Sequence, residues 1–111
     1  MPEAPSLNRY LRHARGRTYR TAEANAYREL VWVKCREFTR LVVPFPSGDV
    51  EVTATWYRSR KAGDVDNRWK VLGDALNGIV WADDSQIAAL HLYRKESPRN
   101  GYMHIIVEAV Q

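Results

Sequence analysis

The residues in this chain that could do chemistry are four aspartates and a lysine. Asp64 and Asp66 stand two residues apart where a loop should enter a helix, and Asp83 and Asp84 are adjacent where a loop should enter a strand. Carboxylate oxygens suit hard cations such as Mg²⁺ and Mn²⁺. A cation held there could offset the extra negative charge of a phosphate transition state and make a bound water more acidic. Two ions about 3.5–4 Å apart could clamp the attacking and leaving oxygens. Lys70 follows Asp66 by four residues, so both project from one helix face, where an ammonium could stabilise developing charge or orient a water. A plainer reading uses the same residues. Asp66, Lys70 and Asp74 form an i, i+4, i+8 ladder of the kind found on solvated helix faces; Asp64 could be only a helix cap and Asp83-Asp84 only a solvated turn. An Asp-x-Asp pair alone does not decide between these readings.

The charge distribution adds a partner of opposite sign. The chain has 111 residues, a net charge of +4 and a pI of about 9.5. Arg9, Arg12, Arg15, Arg17 and Arg20 follow one another with no acid between them, and Arg58, Arg60 and Lys61 form a second basic group. Each guanidinium can grip two phosphate oxygens, so clustered arginines favour phosphate partners; charge alone is equally compatible with the solvated surface of a mildly basic protein. Asn8, Arg9, Arg12, Arg15, Arg17, Arg58 and Lys61, with Asn67 beside the acids, are the candidates for nucleic-acid contact. His13 could approach a phosphate from within the basic segment. His91 and His104, paired across a hairpin, would lack a third metal ligand and read as hydrogen-bonding side chains.

The elements that must position these groups can be read from pattern. Length suits one domain, residues 1–111. Pro2, Pro5 and Gly16 punctuate residues 1–20, which read as a basic arm or loop. Thr21 is an N-cap for a helix over 22–39, with Ala26, Leu30, Val33 and Glu37 along one face. Residues 50–57 alternate as a strand, with Val50, Val52, Ala54 and Trp56 on one side. A second helix opens at 64–67 and stops at Gly78, burying Trp69, Leu72, Leu76 and Ile79; Trp81 supports the Asp84 loop. Strands at 86–94 and 102–110, separated by Ser97-Pro98-Arg99-Asn100-Gly101, should form an antiparallel hairpin. The expected fold class is α/β (α+β), a small mixed sheet with two helices packed on one face. Cys35 cannot form an internal disulfide and reads as a small, partly buried side chain. No apolar run long enough to span a membrane and no signal-peptide layout occurs, which fits a cytoplasmic setting.

Several separated motifs together resemble the RusA-type Holliday-junction resolvases. They are Asp64-x-Asp66-Asn67-x-x-Lys70, Asp74-Ala75-Leu76 and Trp81-x-Asp83-Asp84-x-Gln86. Toward the N-terminus they continue as Pro5-Ser6-x-Asn8-Arg9-Tyr10, Arg12-His13, Arg15-Gly16-Arg17-Thr18, Ala22-Glu23 and Ala26-Tyr27-Arg28. The resemblance covers nearly the whole chain. It implies a homodimer that binds branched DNA, a four-way junction, and makes paired nicks with Mg²⁺ or Mn²⁺. Asp64, Asp66 and Asp84 would then be catalytic metal ligands, Asp83 an assisting acid and Lys70 the essential lysine. Other readings are a nuclease preferring different branches, or a branched-DNA-binding protein without catalysis. Gathering four carboxylates beside phosphate argues against the last, since they repel it unless a cation intervenes. Three positions depart from the family pattern. The strand that usually precedes the Pro-Ser segment is missing, so either the sheet lacks an edge or the N-terminus is incomplete. Gly63 stands where a basic residue can occur, and Arg68-Trp69 replaces less bulky or uncharged residues.

Overall fold

The structure is a computed structural model that describes residues 1–40, 42–60, 62–97 and 99–110, with the side chain of Phe38 left out. Its elements are α1 (Leu7–Tyr10), β1 (Leu11–Ala14), β2 (Arg17–Arg20), α2 (Ala22–Thr39), β3 (Val50–Arg58), α3 (Val65–Leu76), β4 (Ile87–Glu96) and β5 (Tyr102–Ala109). The fold is a small mixed α/β arrangement, with α2 and α3 on one face of a three-stranded sheet of order β4-β3-β5. Among the described residues no helix is long and apolar enough to cross a membrane.

The alternation in β3 sets the layers. Val50, Val52, Ala54 and Trp56 are almost fully buried against the helices, while the residues between them turn to the other side. Burying Val50 and Val52 stabilises the fold by about 1.5–3 kcal/mol each. Helix α3 supplies the opposing surface with Trp69, Val71, Leu72, Ala75 and Leu76, and ends where Gly78 takes φ 82° just past the C-cap Asn77. A Cβ at Gly73 would come within 3.0 Å of the Trp69 ring, so the indole folds back along its own helix.

Four expectations are corrected. The last two strands do not form a hairpin: β4 runs parallel to β3 and β5 antiparallel to it, one on each side. The short connector suggested direct pairing, but it instead arches over the end of β3, where Ser97 N–H donates to Arg58 O. His91 and His104 therefore lie on strands separated by β3 and do not pair. The N-terminal arm is ordered as α1 and an antiparallel hairpin, β1–β2. Arg15 (φ 50°) and Gly16 (φ 72°) both take the positive φ of a two-residue turn whose twist matches its strands. In α2, Thr21 caps the helix as expected, its Oγ1 accepting from Ala24 N–H. The buried stripe, however, is Ala24, Tyr27, Val31 and Cys35, and Leu30, Trp32 and Val33 are exposed. The helix is turned so that Tyr27 O–H reaches Pro2 O. Finally, Met1 and Pro2 lie beside β5. Met1 N and O bond Met103 O and N, where an added edge strand would run.

Candidate active site

The N-cap and first turns of α3 carry four of the candidate side chains. Asp64 occupies the N-cap with extended backbone (φ −99°, ψ 138°), yet its carboxylate makes no capping hydrogen bond. Asp66 lies in the first turn, where the exposed amides favour a negative charge. Asn67 follows on the same turn, and Lys70 one turn further on; Asp64, Asp66 and Lys70 are exposed. The ladder of Asp66, Lys70 and Asp74 does not form. Among the described residues, no ion pair involves Asp64, Asp66, Lys70 or Asp84.

Asp84 lies on the turn that leads into β4. Trp81 is fully buried and its Nε1–H donates to Asp84 Oδ1 at 2.8 Å. The loop closes as a single 3-10 turn, Asp84–Gln86. The Asp83 carboxylate accepts from Ser85 N–H, and the Gln86 side chain accepts from Asp83 N–H. Gln86 also donates to Phe45 O and Gly48 O, tying this turn to the segment before β3. The hydrogen bonds from Ser85 hold the Asp83 carboxyl below its usual range. Lys70 and Asp84 meet across a cleft of about 370 Å³, walled by Trp69 and Gly73 below and Ile87 beside.

Asp74 reaches that cleft as well but is fully engaged. Its carboxylate accepts from Tyr10 O–H, from Arg20 Nε and Nη2 at 3.0 Å each, and from Arg28 Nη1 at 2.8 Å. Burial raises this carboxyl's pKa, but the bonds from Arg20 and Tyr10 and the charges of Arg20 and Arg28 outweigh it, leaving it below the ordinary value. One acid thus pins α1, β2 and α2 onto α3, one turn beyond Lys70. A larger cleft of about 750 Å³ opens between them, with Lys70 and Asp74 on one wall and Leu11, Thr18 and Arg20 on the other. Sequence spacing could not reveal this hub, because its donors lie 64, 54 and 46 residues from Asp74.

The candidate nucleic-acid contacts divide. Asn8 and Arg9 on α1 and Arg12, Arg15 and Arg17 on the hairpin are exposed, and among the described residues only Arg9 of these forms an ion pair, with Glu23 at 3.9 Å. Arg12 and Tyr19 face each other across the hairpin, and His13 bonds Thr18 at 2.8 Å on its other face. Arg58 is different: it is buried, and its guanidinium is held by Glu96 at 2.8 Å, so its charge is turned inward. Lys61 lies outside the described residues. Arg68 packs over the Trp56 ring at 4.8 Å and donates to Ala4 O, which accounts for a bulky cation on this helix.

Asp64, Asp66 and Asp84 match a divalent cation in kind: they offer hard oxygens and, among the described residues, form no ion pair. They are not gathered: among the described residues, no three His, Cys, Asp or Glu side chains stand within reach of one ion. With this geometry established, the comparisons with known proteins are decisive about ancestry. Residues 2–108 match the family model described as Endodeoxyribonuclease RusA. The chain belongs to the RusA family. The crossover junction endodeoxyribonuclease RusA of Shigella sonnei (strain Ss046) is 30% identical over 117 residues, covering 96% of this chain and 89% of that protein. Proteins of the same name from Escherichia coli (strain K12) and Enterobacteria phage 82 are also 30% identical, with the same coverage. Asp64 at the N-cap of α3, Asp66 and Lys70 within it, and Asp84 on the turn before β4 thus belong to a RusA-family chain.

Proposed function

We propose that this protein is an Mg²⁺-dependent endodeoxyribonuclease that resolves four-way DNA junctions by paired, symmetric nicks, acting as a homodimer of one RusA-like domain per chain. The observation that carries this reading is the open state of the α3 acids. In a RusA-family chain, Asp64, Asp66, Asp84 and Lys70 are exposed and form no ion pairs among the described residues, while nearby Asp74 is saturated.

Asp64, Asp66 and Asp84, with Asp83 alongside, would hold Mg²⁺, for which Mn²⁺ substitutes. Bound there, the ion supplies positive charge to the phosphate and a water acidic enough to attack near neutral pH. Lys70 places an ammonium at the same cleft as Asp84, where it stabilises charge developing on the phosphate. Trp81 holds Asp84 Oδ1 and so fixes which oxygen faces the cleft. Asn8, Arg9, Arg12, Arg15 and Arg17 meet the DNA backbone, and Asn67 meets it beside the acids. Phosphate contacts of this kind orient a duplex without reading its sequence, which suits selection by branch shape.

The test is incubation with a synthetic four-way junction and with a linear duplex, each with Mg²⁺, Mn²⁺, Ca²⁺ or EDTA. Opposed nicks in the junction alone, with Mg²⁺ or Mn²⁺, are expected; binding should persist in Ca²⁺ with little turnover, because its coordination is looser. Equal cutting in EDTA, or binding without cutting under every ion, would overturn the reading.

A further inference from the structure

Glu3, like Asp74, is an acid taken up by the fold. Its Oε2 accepts from Trp56 Nε1–H at 2.8 Å and from Ser59 N–H at 3.3 Å, and its Oε1 accepts from the Ser59 hydroxyl at 3.1 Å. These bonds tie the N-terminal segment to the end of β3. Beside Glu3, three arginines from separate segments line one cleft of about 360 Å³: Arg9 from α1, Arg60 from the segment after β3 and Arg68 from α3. Among the described residues Arg60 and Arg68 form no ion pair, and Arg9 meets only Glu23, at 3.9 Å. Three guanidinium groups thus share a cleft whose one carboxylate is already held by neutral donors.

Arg68 is the member of this group that most needs an anion. It is partly buried, lies over the Trp56 ring at 4.8 Å and donates to Ala4 O. Burial lowers its pKa from the ordinary arginine value; the charge of Glu3 opposes that shift and the charge of Arg9 adds to it. A cation drawn out of water is normally paired with opposite charge. Gly63 lets it lie there: a Cβ at that position would stand 3.1 Å from the Trp56 ring and 3.4 Å from Arg68 Nη2. The guanidinium is therefore packed against the segment that leads into α3. Arg68 N–H also donates to Asp64 O, so the cleft and the first of the α3 acids share one helical turn.

We propose that Arg9, Arg60 and Arg68 form a phosphate subsite that holds an internal phosphodiester of the DNA strand next to the α3 acids. The inference deepens the proposed nuclease and rests on that reading for the identity of the strand. A phosphodiester carries the charge that the cleft lacks, and each guanidinium can grip its two free oxygens. An anion among three like charges also relieves their mutual repulsion. The subsite takes over a task that Arg58, turned inward to Glu96, does not perform. A phosphate held here fixes the register of the strand without reading its bases. Arg9, Arg60 and Arg68 are positioning residues; the phosphate that reacts belongs to the acids and Lys70.

The experiment measures junction binding in Ca²⁺, over a range of salt, for the wild type, Arg60→Ala, Arg68→Gln and Lys34→Ala on the exposed side of α2. The DNA has 5′-hydroxyl ends, so every phosphate in it is an internal diester. Arg60 and Lys34 are exposed, so their variants should fold. Arg68→Gln keeps a stem over Trp56 and a donor for Ala4 O, and thermal melting checks all three. Arg60→Ala and Arg68→Gln should each weaken binding by about three- to tenfold and make the slope of log affinity against log salt shallower by about 1; Lys34→Ala should change neither. A neutral methylphosphonate is then placed at one diester at a time along the strand. At one position it should weaken the wild type and weaken Arg60→Ala no further, which only a direct contact produces. Unchanged slopes for Arg60→Ala, an equal loss in Lys34→Ala, or no methylphosphonate position coupled to Arg60 would each overturn the inference. Cutting by the same samples in Mg²⁺ separates the two claims. Cutting with binding indifferent to Arg60 and Arg68 removes only the subsite. Binding that depends on them, without any cutting, removes only the nuclease.

Discussion

Asp74 and Asp66 occupy the same helix two turns apart, and the molecule treats them in opposite ways. Asp74 accepts from one tyrosine and two arginines drawn from three other elements, and its charge is neutralised in place. Asp66, with Asp64 before it, faces solvent and pairs with no cation among the described residues. The saturated acid serves the fold. The open ones make no ion pair among the described residues and stay accessible to a cation. Presence of aspartate on α3 therefore says little; what distinguishes the two regions is how many donors the rest of the chain sends to each.

Exchanging the two acids for amides should separate these roles. Asp66→Asn is expected to lower junction cutting by at least about 10²–10³-fold, the scale of losing a main electrostatic contribution. Its melting temperature should stay level or rise, and junction affinity should stay or rise as one repulsive charge disappears. Normal cutting, measured on a four-way junction with Mg²⁺, would remove Asp66 from the site. Asp74→Asn should show the reverse emphasis. Loss of a charged acceptor for three donors is worth about 2 kcal/mol, reduced by the one-third exposure of that carboxylate. Thermal melting should detect it as a drop of roughly 10 °C. If Asp74→Asn melts like the wild type, the hub is not holding the hairpin.

The hairpin itself gives a third, smaller contrast. Alanine at Arg12, Arg15 and Arg17 together should weaken binding to junction and linear duplex alike by about tenfold, and make the slope of log affinity against log salt shallower by about 2–3. Melting should barely change, because these side chains are exposed. An unchanged slope would show that the hairpin does not touch phosphate. The smallest effect concerns pH. The Asp74 carboxyl is held below its ordinary value in the folded protein, so its contribution is complete above the unfolded value of about 3.9 and is lost as pH falls through the lower folded one. The stability difference between the wild type and Asp74→Asn, read from urea midpoints, should be flat from pH 7 to 5 and shrink below 4. A difference that persists undiminished at the acid end would mean that packing, not charge, makes the hub.

What the sequence discloses and what it conceals follow from the range of the interactions involved. Bounds of α2, β3 and α3 were legible because caps, alternation and the Gly78 stop act over a few residues. So was the role of Trp81, whose indole needs a partner when buried and finds Asp84 three residues away. The partner of β5 was not legible: a five-residue connector is equally compatible with a hairpin and with a short arch over an intervening strand. The face of α2 was misjudged because Leu30 and Val33 have the spacing of a core stripe, while Ala24, Tyr27, Val31 and Cys35 carry smaller or more polar side chains on the face that is actually buried. For the site, residue types and order pointed to Asp64, Asp66, Lys70 and Asp84, but the inward turn of Arg58 depended on Glu96, 38 residues away.

The central position of β3 also bears on how the chain comes to be folded. Both strands that flank it are made later, one after a helical crossover and the other after that. During synthesis, at about 5–20 residues per second, β3 must wait seconds with both edges unpaired. Its alternate apolar residues are then exposed along with a free backbone, the condition in which strands of different molecules pair with one another. Pairings this distant in sequence also form slowly once available. Yield of the folded protein should therefore depend on how crowded the nascent chains are, more than on the stability the finished molecule attains.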